Sequence, residues 1–210
     1  MGKESKPIAA GKSSFDLLDA GKVFAELSLK PGTTFLDAAC GRGAYSLAAA
    51  PYVGAEGRVF AVDLWEEGIA ELQKEIAGRE IANVSAQVAD VSRRIPLPDR
   101  SVDTCLLATV LHDLLTIQKA EGTLGEIRRV VKEGGTLAVI EFKKIEGPPG
   151  PPVAIRLTSE ELIRVCRPFA LAPLRTVDVG PYNYLTLFTC GMIKRTSPVN
   201  GNSLQEGERQ

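Results

Sequence analysis

The chain has 210 residues, of which 44% are apolar and 24% are charged, and its formal net charge is −1 at pH 7. This length predicts one α/β domain with a sizeable core. The balanced charge excludes a general electrostatic attraction to nucleic acid or to an anionic membrane. The sequence contains no apolar run long enough to span a bilayer and no signal-peptide pattern at its N-terminus, so we expect a cytoplasmic protein.

The four cysteines argue against a disulfide scaffold and against a metal site. Cys40, Cys105, Cys166 and Cys190 are widely separated, and no C-x-x-C pair occurs among them. Structural zinc sites and disulfide-rich domains both need closely spaced or paired thiols. We therefore expect reduced cysteines and no bound metal.

The N-terminal region predicts a tail followed by a helix. Residues 1–14 are rich in Lys, Gly and Ser, which indicates a flexible tail. Ser14 is a suitable N-cap for a helix from Phe15 to Leu29, and the Pro31-Gly32 pair ends that helix.

The next segment predicts a strand, a tight loop and a helix that together bind a nucleoside. An apolar run ends at Asp37, small residues follow as far as Gly43, and a helix begins at Ala44. Backbone N–H groups of such a loop and the adjoining helix N-terminus approach a bound ligand closely. Asp63 ends the following apolar run, where a first βαβ unit places a carboxylate against ribose hydroxyls.

The loop sequence separates two kinds of cofactor. A dinucleotide site favours G-x-G-x-x-G, whereas Ser46 stands where the third glycine is required. The acid Asp37 just before the loop suits a cationic amino group, which S-adenosylmethionine (SAM) carries. The stretch 35–43 resembles the first motif of class I SAM-dependent methyltransferases, hydrophobic-Leu-Asp-x-Gly-Cys-Gly-x-Gly. Ala39 departs from it where glycine is most frequent, and alanine lacks the positive-φ freedom of glycine.

The resemblance implies that SAM binds and leaves as S-adenosylhomocysteine, and it implies cofactor contacts after each of the first four strands. Leu64 is expected beside adenine, and Asp90 is expected near the adenine amino group. A local alternative for Asp90 is that it caps the turn through Ser92. The cofactor residues implied are Asp37, Ala39, Cys40, Gly41, Gly43, Asp63, Leu64, Asp90, Val91, Ala108 and Thr109.

His112 is the single histidine of the chain and the candidate catalytic residue. It follows the fourth predicted strand, where an open α/β sheet binds its ligands. A histidine there has a pKa suited to removing a proton from an acceptor at neutral pH. The alternative is that His112 only packs or hydrogen-bonds locally.

The second half of the chain completes the predicted fold. A helix from about Thr123 is expected to turn into a fifth strand through Gly134-Gly135, and Thr158 is expected to cap a further helix. Two strands, 171–179 and 184–190, form a closing hairpin. The resemblance covers residues 15–195 and implies a Rossmann-like three-layer α/β sandwich. Its seven-stranded, mostly parallel sheet has the order 3-2-1-4-5-7-6, and residues 1–14 and 196–210 are predicted as flexible tails.

The resemblance implies SN2 transfer of the sulfonium methyl group to a small-molecule acceptor. The stretch Ile95–Asp103 is similar to the methyltransferase type 11 or ubiquinone-biosynthesis-like group. Three alternatives remain: a non-catalytic SAM-binding regulator or subunit, an NAD-dependent oxidoreductase, and an arsenite methyltransferase, which needs several convergent thiolates. A nucleic-acid acceptor is disfavoured because the sequence has no basic stripe with interleaved aromatics. Monomer and homodimer are both compatible with the sequence.

Overall fold

A seven-stranded sheet forms the middle layer of the fold in a computed structural model that describes residues 11–191. The strand order is β3-β2-β1-β4-β5-β7-β6, which confirms the predicted order. Strands β1 to β5 pair in parallel, and β7 pairs antiparallel with both β5 and β6. The strands are β1 (Thr34–Ala38), β2 (Arg58–Asp63), β3 (Val84–Val88), β4 (Val102–Ala108), β5 (Val131–Phe142), β6 (Leu171–Asp178) and β7 (Asn183–Cys190).

Helices cover both faces of the sheet because successive strand residues point to opposite sides. On β1, Phe35 packs in a core with α1 and α2, whereas Leu36 packs in a second core with α5 and α6. Helix α3 packs on β2 and β3 through Ile69 and Leu72. The helices are α1 (Ala20–Leu27), α2 (Ala44–Val53), α3 (Glu66–Gly78), α4 (Leu111–Thr116), α5 (Ala120–Val130) and α6 (Ser159–Cys166).

The first helix begins later than the sequence predicts. Residues Phe15–Leu17 form only a short 3₁₀ turn, and α1 begins at Ala20. Its N-cap is Asp19, whose carboxylate accepts a hydrogen bond from the Lys22 backbone N–H at 3.0 Å. Ser14 is not the cap, because its hydroxyl is bonded to a distant side chain instead.

The glycine pair after α5 also has a different role from the predicted one. Helix α5 ends at Val130 and β5 begins at once, so Gly134 and Gly135 lie inside the strand. Gly134 has φ +76° beside a shift of register between β4 and β5. A Cβ atom on Gly135 would lie 2.9 Å from the carbonyl oxygen of Asp103. The pair therefore forms an irregularity in the strand rather than a helix cap.

One buried arginine organises the loop after β5. Arg156 is 2% exposed and donates hydrogen bonds to backbone carbonyls along residues 143–151. The five carbonyl oxygens belong to Lys143, Ile145, Gly147, Pro149 and Pro151, at 2.8–3.2 Å. All five N–H groups of a guanidinium can be used in this way. The proline-rich loop is thus folded around a single side chain.

The predicted ends of the domain fall partly outside the described residues. Helix α6 begins with the predicted cap, a capping box between Thr158 and Glu161. Of the predicted tails, residues 1–10 and 196–210 lie outside the described part of the chain, whereas Ser14 is buried. Within 11–191, no helix is both long enough and apolar enough to cross a membrane.

Candidate active site

A cleft of about 180 Å³ opens at the carboxyl ends of β1 to β4. Strands β1 and β4 lie side by side there, and the chain connects β1 outward to β2 and β3 in one direction and β4 to β5 in the other. Ligands of open α/β sheets bind at such a switch point. Ten of the eleven predicted cofactor residues line the cleft: Asp37, Ala39, Cys40, Gly41, Asp63, Leu64, Asp90, Val91, Ala108 and Thr109.

Asp63 is held in place by the backbone of two loops. Its Oδ2 accepts a hydrogen bond from the Gly41 N–H at 2.7 Å, and its Oδ1 accepts one from the Trp65 N–H at 2.7 Å. Burial raises the pKa of Asp63, although these backbone hydrogen bonds act against the increase. The carboxylate therefore has a fixed orientation at the end of β2, with lone pairs left for a ligand.

Asp37 is a buried acid at the end of β1. Its Oδ2 accepts a hydrogen bond from Ser46 Oγ at 2.6 Å, and the residue is 1% exposed. Burial raises the pKa of Asp37 to about 7, opposed by the Ser46 hydrogen bond and supported by the negative charge of Asp63. A cation placed beside Asp37 would favour its ionised form.

The loop between β1 and α2 turns through three residues of positive φ. Ala39 has φ +59°, Gly41 has φ +57° and Gly43 has φ +73°. Gly43 does not line the cleft; a Cβ atom there would lie 2.4 Å from Leu72 Cδ2 of α3. Glycine at this position therefore allows α3 to pack closely. Ala39 adopts the same left-handed backbone conformation, which is strained for a residue that carries a Cβ atom.

Asp90 caps the turn through Ser92 and also lines the cleft, so its expected place near the adenine amino group stays a prediction. Its Oδ1 accepts hydrogen bonds from the backbone N–H and the hydroxyl of Ser92, which closes the turn after β3. Its Oδ2 accepts one from Lys119 Nζ at 2.7 Å, inside the cleft. Partial burial acts to raise the pKa of Asp90, but the Lys119 and Ser92 hydrogen bonds outweigh it and lower the pKa. Nearby, Leu64 is 42% exposed and Val91 is buried, which leaves apolar surface for a flat ring.

A hydroxyl cluster that the sequence did not predict closes the other end of the cleft. Ser14 Oγ lies 2.9 Å from Tyr45 OH and accepts a hydrogen bond from Thr109 Oγ1 at 3.1 Å. Burial raises the pKa of Tyr45, so the phenol stays neutral. The cluster joins the segment before α1 to α2 and to the end of β4. No local pattern signals it, because its members are far apart in sequence.

His112 lies away from the cleft, on the other side of α4. Val110, Asp113, Leu114 and Ile117 line the cleft, whereas His112 contacts a second cavity together with Leu115 and Thr116. The ring Nδ1 is 2.7 Å from Glu141 Oε2, and His112 is 3% exposed. His112 does not line the cleft, and the catalytic role predicted for it stays a prediction.

Asp113 is the acidic residue of the cleft that the sequence analysis missed. It is 8% exposed and lies between apolar Val110, Leu114 and Ile117 on one face of α4. The spacing 110, 113, 114, 117 is the helical period of one face. That spacing becomes visible only when residues 111–116 are known to be helical rather than a loop.

The four thiols are poor metal ligands in this structure. Burial is the first cause that raises the pKa of each, to about 12 for Cys166 and about 11 for Cys190, and well above the usual value for Cys40 and Cys105. Metals bind the thiolate rather than the thiol. Within residues 11–191 no group of three His, Cys, Asp or Glu residues is arranged to hold a metal ion.

The fold and the cleft together define an α/β protein that binds a nucleoside cofactor with a cationic amino group. The family to which the chain belongs is the methyltransferase domain family, whose model matches residues 29–167. The protein is a SAM-dependent methyltransferase, and SAM is its cofactor. This assignment excludes two of the alternatives considered from the sequence, the NAD-dependent oxidoreductase and the non-catalytic SAM-binding regulator.

Characterised relatives and a solved structure agree with this assignment. A SAM-dependent methyltransferase from Aquifex aeolicus is 30% identical, covers 87% of this chain and 95% of its own, and superposes with a TM-score of 0.78. The demethylmenaquinone methyltransferase of Lactobacillus johnsonii is 29% identical over 83% of this chain and 68% of the relative. The ubiquinone/menaquinone biosynthesis C-methyltransferase UbiE of Cupriavidus metallidurans is 33% identical over 63% of this chain. That match spans only 56% of UbiE.

Proposed function

We propose that the protein transfers the SAM methyl group to a small hydroxylated aromatic molecule, such as a reduced quinone. The observation that carries the proposal is the carboxylate of Asp113, which lines the cleft beside the apolar residues Val110, Leu114 and Ile117. Apolar surface suits a ring, and a carboxylate accepts the proton of a ring hydroxyl. The names of the two quinone-biosynthesis relatives support the same class of acceptor.

The residues of the cleft supply a position for each part of SAM. Asp37 binds the amino group, and the backbone of Ala39 and Gly41 approaches the amino-acid part. Asp63 accepts hydrogen bonds from the ribose, a role supported by its fixed orientation. The adenine and methionine parts contact the remaining predicted residues, namely Cys40, Leu64, Asp90, Val91, Ala108 and Thr109. Gly43 contributes indirectly, through the packing of α3.

The chemistry needs alignment more than activation. An electron pair of the acceptor forms a bond to the methyl carbon while the carbon–sulfur bond breaks and its electrons remain on sulfur. SAM thus becomes S-adenosylhomocysteine, and the acceptor loses one proton. The sulfonium is already a good electrophile, so the enzyme contributes mainly position and exclusion of water.

We infer that residues 15–195 form the catalytic domain and that the protein acts in the cytoplasm, as a monomer or homodimer. A net charge of −1 supports a small-molecule acceptor rather than a nucleic acid.

The proposed function is tested first by cofactor binding. Calorimetric titration with SAM and S-adenosylhomocysteine should give saturable binding to the wild type. The Asp63→Ala variant should bind both ligands roughly 10–100-fold more weakly, since a charge-assisted contact to the ribose is lost. The matched control is Asp99→Asn, which changes an exposed acid in the loop that enters the opposite end of β4. Equal affinity in the wild type and Asp63→Ala would contradict the assigned cofactor position.

The acceptor is tested with labelled SAM. Transfer of the labelled methyl group to 1,4-dihydroxynaphthalene and to demethylmenaquinol is expected, while 1,4-dimethoxynaphthalene, which has no ionisable hydroxyl, should remain unlabelled. A protein that binds SAM but labels neither hydroxylated compound would exclude the proposed acceptor class.

A further inference from the structure

Helix α4 has two functional faces that are joined by one side-chain contact. Asp113 faces the cofactor cleft, and His112 faces the second cavity, which has a volume of about 570 Å³. The two side chains meet at the edge of the helix, where His112 Nε2 is 3.6 Å from Asp113 Oδ2. A group buried outside the cleft is therefore in electrostatic contact with an acid inside it.

Glu141 at the end of β5 holds the first turn of α4 at two points. Its Oε2 is 2.7 Å from His112 Nδ1, and its Oε1 accepts a hydrogen bond from the His112 backbone N–H at 3.2 Å. Glu141 is fully buried. A buried carboxylate with both oxygens on one residue fixes the orientation of the imidazole ring and of the helix start.

The geometry also defines where a proton is needed. With Nδ1 donating to Glu141, the neutral ring would point a lone pair at the Asp113 carboxylate. A proton on Nε2 replaces this repulsion with attraction. Burial acts to lower the pKa of His112, but the hydrogen bond and charge of Glu141 and the charge of Asp113 outweigh it, so the pKa is raised.

We propose that Asp113 is the catalytic carboxylate of the transfer reaction and that His112, held by Glu141, is its positioning residue. The inference rests on the proposed function, since it assigns a base for the hydroxylated acceptor. The side chains of these residues then form a chain of contacts, from Glu141 on β5 through His112 to Asp113 in the cleft.

The proton has a defined route in this scheme. The acceptor hydroxyl gives its proton to an oxygen of Asp113, its O–H electron pair becomes a C=O bond as a ring carbon attacks the methyl carbon, and the C–S bond electrons remain on sulfur. The methylated ring carbon then loses its hydrogen to solvent and the oxygen regains a proton, which restores the aromatic hydroxyl. The protonated His112 ring stays protonated and holds the carboxylate towards the cleft. After the products leave, Asp113 releases the proton to solvent, so the protein returns to its starting state.

Other charged groups lie near both side chains and contribute to any pH dependence. Arg156 acts to lower the pKa of His112. The charged groups that line the second cavity with His112 are Lys144, Arg156, Glu161 and Arg164. The charged or titratable groups that line the cleft with Asp113 are Lys12, Asp37, Cys40, Arg42, Tyr45, Asp63, Asp90 and Lys119.

The single histidine allows a direct test by NMR. In protein purified without a histidine tag, His112 gives the one set of imidazole ¹⁵N signals, and its titration can be followed from pH 5 to pH 9. We expect Nδ1 to be the protonated nitrogen at high pH. Asp113→Asn and Glu141→Gln should each lower the pKa of His112, whereas Asp99→Asn should leave the titration unchanged. An unchanged titration in folded Asp113→Asn protein would overturn the inference.

Kinetics with 1,4-dihydroxynaphthalene test the catalytic part. Asp113→Asn should reduce kcat by about 10²–10⁴-fold, the range for loss of a general base, with affinity for SAM unchanged. Asp113→Glu should restore part of kcat. His112→Gln should reduce kcat less than Asp113→Asn and leave the KM for SAM unchanged, as expected for a residue that acts through another.

The two experiments separate failure of the inference from failure of the proposed function. If the wild type methylates no hydroxylated acceptor, the proposed function fails, and with it the catalytic role of Asp113; the NMR titration still decides the coupling of His112 to Asp113. If the wild type is active and folded Asp113→Asn keeps full kcat, the proposed function stands and the catalytic role of Asp113 is overturned. Circular dichroism of each variant confirms that it is folded.

Discussion

Asp37 makes the stability of the ligand-free protein depend on pH. The acid titrates near 3.8 in a model peptide and near 7 in the folded protein, where burial raises its pKa. The folded state therefore binds this proton more tightly than the unfolded state does. The resulting stabilisation is complete below about pH 4 and is lost as the pH rises towards 7.

The variant Asp37→Asn isolates this contribution. At pH 8 the ligand-free variant should be more stable than the wild type by at most about 4 kcal/mol, and the difference should shrink at pH 5. Urea unfolding at both pH values measures it, with Asp99→Asn as the control for a lost surface charge. The same variant should bind SAM more weakly at pH 8, because the partner of the cationic amino group is missing. A stability difference independent of pH would contradict the raised pKa.

At the level of single residues, ten of the eleven cofactor residues predicted from the sequence line the cleft, whereas Asp113 and Glu141 were not predicted. Asp37, Asp63 and Asp90 end parallel strands, and strand ends are visible in the sequence as acids after apolar runs. Asp113 and Glu141 escaped notice for a physical reason. Asp113 lies in a helix of only six residues whose N-cap, Val110, makes no side-chain cap hydrogen bond, and Glu141 lies inside a strand, where no local pattern marks an acid as functional.

At the level of elements, one side chain determines the stability of the loop after β5. Replacing Arg156 by Ala removes five hydrogen bonds that a charged guanidinium donates. The five carbonyl oxygens between residues 143 and 151 then lose this donor. We expect a loss of at least about 3 kcal/mol in the free energy of unfolding, as charged hydrogen bonds contribute about 1.5–3 kcal/mol each. Urea denaturation measures the loss.

The matched control for this prediction is Arg164→Ala. Arg164 is an exposed arginine on α6 beside the same second cavity, and its replacement should change stability by no more than about 0.5 kcal/mol. Equal effects of the two substitutions would show that the buried hydrogen bonds of Arg156 do not hold the loop.

Helices and strands were predictable where the spacing of apolar residues agrees with the capping and turn residues at their ends. The strands of the parallel core and the capping box of α6 follow from local residue types. The predictions for the start of α1 and for the role of Gly134 were wrong, because contacts with residues distant in sequence determine both. Ser14 bonds to Tyr45 rather than capping the helix, and the chain enters β5 before its glycines because Val131 already pairs with Val102.

At the level of the whole molecule, the segment before α1 connects the N-terminal region to the cleft. Residues 11–14 line the cleft, and Ser14 connects them to Tyr45 and Thr109. The cleft volume of about 180 Å³ is below the range of roughly 300–1,000 Å³ usual for ligand sites. We therefore expect this segment to move outward when SAM enters and then to contact the bound cofactor.

Hydrogen exchange measured by mass spectrometry tests this movement. Addition of SAM should slow exchange in peptides that cover residues 11–19 and leave α6, which does not line the cleft, unchanged. Ser14→Ala should speed exchange of the same peptides in the ligand-free protein, since the bond to Tyr45 is lost. Exchange in residues 11–19 that is indifferent to SAM would contradict the proposed contact.

The sheet order was predictable as a whole because strongly apolar strands and a family resemblance fix the topology together. The cleft volume was not predictable, because it depends on how the polar residues 11–14 fold back over the carboxyl ends of the strands. Long-range hydrogen bonds such as that between Thr109 and Ser14, 95 residues apart, leave no trace in local sequence.

The four protonated thiols have a practical consequence for labelling chemistry. Maleimides and iodoacetamides react with thiolates, and burial raises the pKa of the buried Cys105, Cys166 and Cys190 and of Cys40, which is half-buried beside the cleft, so the thiol form is favoured at neutral pH. A cysteine introduced at exposed Ser13 would react much faster than any of them. A fluorophore or spin label attached there would report on movement of residues 11–14 in real time, and the half-buried Cys40 is the native thiol whose reaction has to be checked first.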